Sequence, residues 1–185
     1  GELMKNKIVA FLLLVSLVLQ PIGSVFAVEN NDMTNKEYNI YPKPQSLEYS
    51  EGQTEIKEKV NLIYSNKVEK ETLDKLRLVF KGKTILENED LKDEYTNIIL
   101  SLNDEDSIVS EVINKKGVKY PNEGFNHYIL IIDNGNIYLN ARQANDLFYA
   151  VTSLKHIVNQ SQTSLRNLVL NDYADVEYRG FIEGY

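Results

Sequence analysis

Residues 128–141 read YILIIDNGNIYLNA. Two apolar runs, at 128–132 and 137–139, flank the tetrapeptide DNGN at 133–136. Asn-Gly is the preferred central pair of a type I′ turn because both residues tolerate a positive φ. The stretch therefore predicts a β-hairpin, and with it a sheet that is at least partly antiparallel.

Helical periodicity appears on both sides of this hairpin. Residues 141–160 carry apolar side chains at helical spacing, with Asn145, Ser153, Lys155 and Asn159 expected on the opposite, polar face. Residues 66–80 predict a second helix, in which Asn66 and Glu69 have the spacing of a capping box. Further apolar runs predict strands at 60–64, 97–102 and 165–170.

These elements predict the order β-α-β-β-β-α-β and an α+β fold. We expect a two-layer domain, a mixed β-sheet with two helices on one face. Glu51-Gly52 is typical of a turn, and the acidic stretch 103–123, with Gly117 and Pro121 as breakers, predicts a long irregular connection.

The first residues have the pattern of a bacterial secretory signal peptide. A short basic segment after Met4 precedes an apolar run at 8–19, and small residues lead to a predicted cleavage after Ala27. The apolar run is shorter than the roughly 20 residues of a membrane span. We therefore expect a secreted protein, with residues 1–3 preceding the true initiator, a signal peptide at 1–27 and a disordered spacer at 28–37.

Composition limits the classes of partner. The 185 residues carry a formal net charge of −7 and contain no cysteine. Nucleic acids and anionic membrane surfaces attract basic patches, so we expect neither a nucleic-acid partner nor, after signal cleavage, a membrane partner. The absence of cysteine excludes a disulfide framework.

The sequence before residue 176 carries no recognisable active site. His127 and His156 are the only histidines and have no metal-ligand spacing, so no metal is expected. No phosphate-binding loop or esterase motif occurs, and no cofactor is expected. The carboxylates cluster at 87–90, 93–94 and 104–106 in polar stretches, which is typical of solvated loops. The twelve tyrosines suit sugar stacking, but several alternate with aliphatic residues in predicted strands, so most are more simply interpreted as half-buried packing residues.

Several motifs resemble a known family. The opening YPKPQ at 41–45, the segment IYLNA at 137–141, the run TSL at 152–154 and residues 168–172 resemble the N-terminal domain that precedes the catalytic barrel of bacterial β-N-acetylhexosaminidases. The end YRGFIEGY at 178–185 resembles the first barrel strand of glycoside hydrolase family 84, which includes bacterial O-GlcNAcases and clostridial hyaluronidases. Family 20 would show an Asp-containing end to this strand.

The resemblance implies a domain organisation and a function. Residues 38–177 would form an accessory α+β domain that packs on the barrel, and residues 178–185 the first strand of a truncated (β/α)8 barrel, with Gly184 lining the sugar pocket. The family hydrolyses N-acetylglucosaminides with retention, using the substrate's acetamido group and two adjacent aspartates. No Asp-Asp pair occurs in this chain, so catalytic residues are absent and the fragment alone should be inactive.

Two alternatives stay open at the level of the sequence. One is a non-catalytic carbohydrate-binding or adhesion module with tyrosines as sugar platforms. The other is the N-terminal domain of a family 20 β-hexosaminidase. The natural glycan, further modules and oligomeric state are not encoded in any motif that we recognise.

Overall fold

The computed structural model describes residues 37–161 and 163–176. These residues form seven strands: β1 (Ser46–Glu55), β2 (Lys59–Ile63), β3 (Thr84–Glu87), β4 (Thr96–Leu102), β5 (Phe125–Asp133), β6 (Asn136–Ala141) and β7 (Ser164–Ala174). Three helices accompany them: α1 (Lys70–Val79), α2 (Ser107–Lys115) and α3 (Asp146–Asn159).

The strands form one mixed sheet in the order β1-β7-β5-β6-β4-β2-β3. Strands β6, β4, β2 and β3 pair in parallel, whereas β1, β7, β5 and β6 pair antiparallel. Parallel neighbours need a crossover connection, and α1 supplies the one between β2 and β3. The predicted α+β class with a mixed sheet is confirmed.

The hairpin forms as the sequence predicts. Strands β5 and β6 pair antiparallel, with Asp133 opposite Asn136. Asn134 and Gly135 both have positive φ, 47° and 80°, as a type I′ turn requires. Every residue from Tyr128 to Ile132 is buried, because this hairpin lies at the centre of the sheet and is covered on both faces.

Helices α1 and α3 lie together on one face, as predicted. Their apolar side chains join the main core with alternate residues of the strands. A smaller core on the opposite face contains Ile99, Val109, Ile129, Ile131 and Tyr138. Val109 belongs to α2, so this third helix covers the other side of the sheet.

Four local expectations are wrong. Residues 107–115 form helix α2 and not an irregular connection, because Asp106 caps a short amphipathic segment. Helix α1 begins at Lys70, and neither Asn66 nor Glu69 makes a side-chain cap. Glu51-Gly52 lies inside β1, where a β-bulge shifts its register against β7. Strands β1 and β3 were not expected.

None of the helices in the described part of the chain is long and apolar enough to cross a membrane.

Candidate functional site

A cleft of about 550 Å³ opens where the segment 41–45, helix α3 and the carboxyl end of β7 meet. The hairpin strand β5 supplies its floor through Tyr128. The lining consists of aromatic rings, short polar groups and two carboxylates: Tyr41, Pro42, Lys43, Gln45, Asn126, Tyr128, Tyr149, Thr152, Ser153, Asp172, Tyr173, Ala174, Asp175 and Val176.

A buried hydrogen-bond chain forms the polar floor of the cleft. The Tyr128 hydroxyl donates to Asp172 Oδ2 at 2.9 Å and lies 2.7 Å from Ser153 Oγ. Ser153 was expected on the polar outer face of its helix, but only 5% of it is exposed. Burial, and secondarily the carboxylate of Asp172, raises the pKa of Tyr128. The phenol therefore stays neutral and acts as a hydrogen-bond donor.

Gln45 connects the amino-terminal segment to the end of β7. Its backbone N–H donates to Asp172 Oδ1 at 3.0 Å, and its side-chain Nε2 donates to Asp175 Oδ1 at 3.2 Å. The carboxylate of Asp172 thus joins two segments that are more than 120 residues apart in the sequence. This contact fixes the width of the cleft.

Aromatic rings form the walls. Tyr41 and Tyr149 are 84% and 48% exposed. Tyr173 stacks on His127, with ring centroids 5.6 Å apart. Gly124, at φ +85°, lies so close that an added Cβ would be 2.1 Å from the Tyr173 ring. One wall is therefore held rigidly while the other two rings face solvent.

The carboxylate of Asp172 has a structural role in the cleft. A general acid–base pair needs a carboxyl group that is poised to exchange a proton with a substrate. Both oxygens of Asp172 already accept hydrogen bonds from Tyr128 and Gln45. Its role is to hold the cleft together and to offer its remaining lone pairs as acceptors.

A second exposed surface lies on the outer side of α1 and α3, and we call it the helix-pair patch: Lys75, Phe148 and Thr152. Lys75 Nζ lies 3.5 Å from the centroid of the Phe148 ring and donates to the Thr152 hydroxyl. Burial lowers the pKa of Lys75, and the charge of Lys155 adds to this effect. Phe148 remains 38% exposed, so the patch presents a ring and a cation together.

The structure describes some of the residues that the sequence analysis singled out, and others lie outside the described residues. Gly184, the predicted sugar-pocket residue, lies outside the described residues, as do the predicted signal peptide and barrel strand. His127 is buried, and His156 accepts a hydrogen bond from the Tyr41 backbone N–H at 3.4 Å. Both histidines thus have structural contacts. No cluster of three or more potential metal ligands occurs among residues 37–161 and 163–176.

The carboxylate clusters take part in local structure. Asp106 Oδ1 accepts hydrogen bonds from the backbone N–H groups of Ile108 and Val109, at 2.8 and 3.0 Å. Glu87 pairs with Arg77 at 2.7 Å. These contacts agree with solvated loops and caps.

Sequence reasoning missed the cleft itself. Gln45 belongs to the YPKPQ motif and Asp172 to the segment 168–172, both quoted for the resemblance. No local pattern shows that these two residues meet across the sheet.

Residues 37–173 match the model of glycosyl hydrolase family 20, domain 2. The match covers most of the chain, and the chain therefore belongs to this family of glycoside hydrolase domains.

Solved structures of glycoside hydrolases contain the same fold. CpGH84D is 28% identical, with a TM-score of 0.73 over 81% of this chain. CpGH84B is 18% identical with a TM-score of 0.58, and the GH20 β-N-acetylhexosaminidase of Streptomyces coelicolor A3(2) is 16% identical with a TM-score of 0.51. Each of the latter two matches 74% of this chain. The predicted relationship with a glycoside hydrolase domain is confirmed.

The chain spans about a quarter of the length of these proteins. It covers 26% of CpGH84D, 22% of CpGH84B and 27% of the Streptomyces enzyme.

Proposed function

We propose that the chain is the non-catalytic N-terminal domain of a secreted, retaining β-N-acetylglucosaminidase of the family 84 type. One observation carries the choice of family. The chain is 28% identical to CpGH84D over 81% of its length, whereas the GH20 enzyme from Streptomyces coelicolor, at 16%, supports the fold alone. The ending YRGFIEGY at 178–185 favours the same choice.

In this proposal the catalytic barrel begins at residues 178–185, and Gly184 lines the pocket that holds N-acetylglucosamine. The parent protein hydrolyses terminal N-acetylglucosaminides of glycans or glycoproteins. The substrate's acetamido oxygen attacks the anomeric carbon, and two adjacent aspartates further along the barrel assist. This substrate-assisted scheme differs from the usual pair of carboxylates.

The domain's own role is to pack on that barrel. The helix-pair patch supports this role, because aromatic side chains are enriched at protein interfaces and the Phe148 ring remains 38% exposed. Phe148 and Lys75 would lose their remaining contact with water, and a carboxylate or carbonyl of the barrel would face the ammonium group.

Secretion is a separate part of the proposal. The signal peptide at 1–27 would be removed after Ala27, leaving the spacer 28–37 ahead of the domain at 38–177. Expression of the full gene in a Gram-positive host and intact-mass measurement of the exported protein tests this. A mature protein that begins at Val28 supports the proposal, and retention of residues 1–27 contradicts it.

The runner-up is a family 20 parent enzyme, supported by the match to the family 20 domain model. The codons beyond Tyr185 distinguish the two families. A downstream Asp-Asp pair supports family 84, whereas an Asp-Glu pair supports family 20.

Activity measurements test the function. The 185-residue chain and a version extended through the downstream gene are each incubated with 4-nitrophenyl N-acetyl-β-D-glucosaminide. We expect no turnover by the chain alone and turnover with retention, followed by NMR of the anomeric proton, by the extended protein. Turnover by the short chain, or none by a folded extended protein, contradicts the proposal.

A further inference from the structure

We propose that the cleft between Tyr41, Tyr149 and Asp172 binds an N-acetylglucosamine-containing saccharide. Only the choice of this sugar rests on the proposed function. The cleft, its charges and its rings are features of the domain itself.

Its size fits a small glycan. The volume of about 550 Å³ lies in the range of roughly 300–1,000 Å³ that is usual for small-molecule sites. A disaccharide has the dimensions to enter from the open side, where Tyr41 and Tyr149 stand at the rim.

The rings offer the apolar contact that a sugar needs. Pyranose rings present C–H groups on their flat faces, and aromatic side chains supply large apolar area with a polar tip. Tyr41 is largely exposed and Tyr149 about half exposed, and Tyr173 is held in place by its stacking on His127. Because this stacking keeps Tyr173 in one position, little side-chain conformational entropy would be lost there when a sugar binds.

The floor offers acceptors for hydroxyl and amide hydrogens. Asp172 and Asp175 each accept hydrogen bonds from Gln45 and have further lone pairs, since a carboxylate has about four acceptor positions. Among the described residues, neither carboxylate has a Lys or Arg partner. The side-chain amide of Asn126 adds a group that can donate or accept.

The charges of the lining are compatible with a neutral ligand. Asp172 and Asp175 disfavour an anion, and Lys43 partly offsets the attraction that the two carboxylates exert on a cation. A neutral molecule rich in hydroxyl groups can donate hydrogen bonds to the carboxylates and accept them from the ammonium group. An N-acetylated saccharide has this chemistry, and its acetamido methyl group matches the tyrosine rings.

Titration of the isotope-labelled 185-residue chain with N,N′-diacetylchitobiose, followed by two-dimensional NMR, tests the proposal. We expect a dissociation constant on the order of 1 mM, with shift changes concentrated at residues 41–45, 149–153 and 172–176. Tyr41→Ala and Tyr149→Ala should each weaken binding about three- to ten-fold. Phe125→Ala is the matched control, because Phe125 is similarly exposed at 41% and does not line the cleft.

Other ligands separate the alternatives. Cellobiose, which lacks the acetamido groups, should bind more weakly, and arginine methyl ester represents a cationic side chain. Preference for arginine methyl ester, no binding of diacetylchitobiose, or binding that is unchanged in both tyrosine variants overturns the proposal. The glycosidase assay of the extended protein is independent, so either result can fail while the other stands.

Discussion

Single residues determine the shape of the cleft. Gly124 is one of them, because its missing side chain leaves room for the Tyr173 ring. Its φ of +85° is unfavourable for any residue with a Cβ, and the Tyr173 ring occupies the space that a Cβ would need. Tyr173 in turn stacks on the buried His127. The wall of the cleft therefore depends on a glycine that lies about 50 residues earlier in the sequence.

We expect Gly124→Ala to destabilise the domain by about 2–4 kcal/mol, because backbone strain and overpacking add. Gly117→Ala is the matched control, since Gly117 also has a positive φ, +68°, but no atom within 4 Å of an added Cβ. It should cost only about 1 kcal/mol. Urea unfolding measures both. Equal losses would show that the contact with Tyr173 has no energetic weight.

Asp146 makes the stability of the domain depend on pH. It is 2% exposed at the start of α3, and its Oδ1 has no hydrogen-bond partner among the described residues. Burial raises the pKa of Asp146 to about 6, and a hydrogen bond with the backbone of Gln143 only partly opposes this. Because the folded pKa exceeds the unfolded one, the native state binds the proton more tightly between about pH 4 and pH 6. The stability that the neutral carboxyl contributes is therefore lost as pH rises from about 4 to about 6, and little further change from this group is expected above pH 6.

We expect Asp146→Asn to gain about 1–3 kcal/mol relative to the natural chain as pH rises from 4 to 7. Denaturant unfolding of both proteins at both values measures the difference, and contributions from other groups cancel in the comparison. A difference in unfolding free energy that does not vary with pH would contradict the raised pKa.

At the scale of the element, the sequence predicted those helices and strands that have a clear local pattern of turn residues or apolar spacing. The β5–β6 hairpin has an Asn-Gly turn, and α3 has a long apolar stripe, so both were predicted within a few residues. Strand β1 was missed because its bulge places Gly52, at φ +89°, where a turn residue would stand. Strand β3 has only four residues, which is too short for a recognisable strand pattern. It forms because it pairs with β2.

Helix α2 was missed because its acidic start resembles a loop. Its N-cap, Asp106, accepts two backbone hydrogen bonds, and such caps contribute about 1 kcal/mol. We expect Asp106→Ala to lower the unfolding free energy by about 0.5–2 kcal/mol. Asp104→Ala, two residues earlier and exposed, should change it by less than about 0.5 kcal/mol. Thermal unfolding compares the two, and equal effects would argue against the cap.

At the scale of the whole molecule, sheet order and the cleft were beyond local sequence reasoning. Strand β1, the first in the sequence, pairs with β7, the last. Strand β4 pairs with β6, although β5 lies between them in the sequence. Such long-range pairings depend on how all apolar faces are covered at once. The helix-pair patch is one of the apolar surfaces that the described residues leave partly exposed.

The proposed packing on the barrel gives a prediction at this scale. Phe148→Ser should lower the unfolding temperature of the extended protein more than that of the 185-residue chain, because the ring is buried only when the barrel is present. Ile108→Ser is the control, since Ile108 is 42% exposed on α2 and faces away from the patch. Calorimetry of all four proteins measures this. Equal shifts with and without the barrel would contradict packing through this patch.

The contact between Gln45 and the end of β7 has one more consequence. Residues near both ends of the described range lie close together, since Tyr41 and Val176 line one cleft. Domains with adjacent ends tolerate circular permutation and insertion into other chains. A short linker joining residues 37 and 176, with new ends opened at the exposed Asn134, should give a permuted protein with the same sheet. Such a permuted protein would show that the fold of the domain does not depend on the order in which its strands follow one another along the chain.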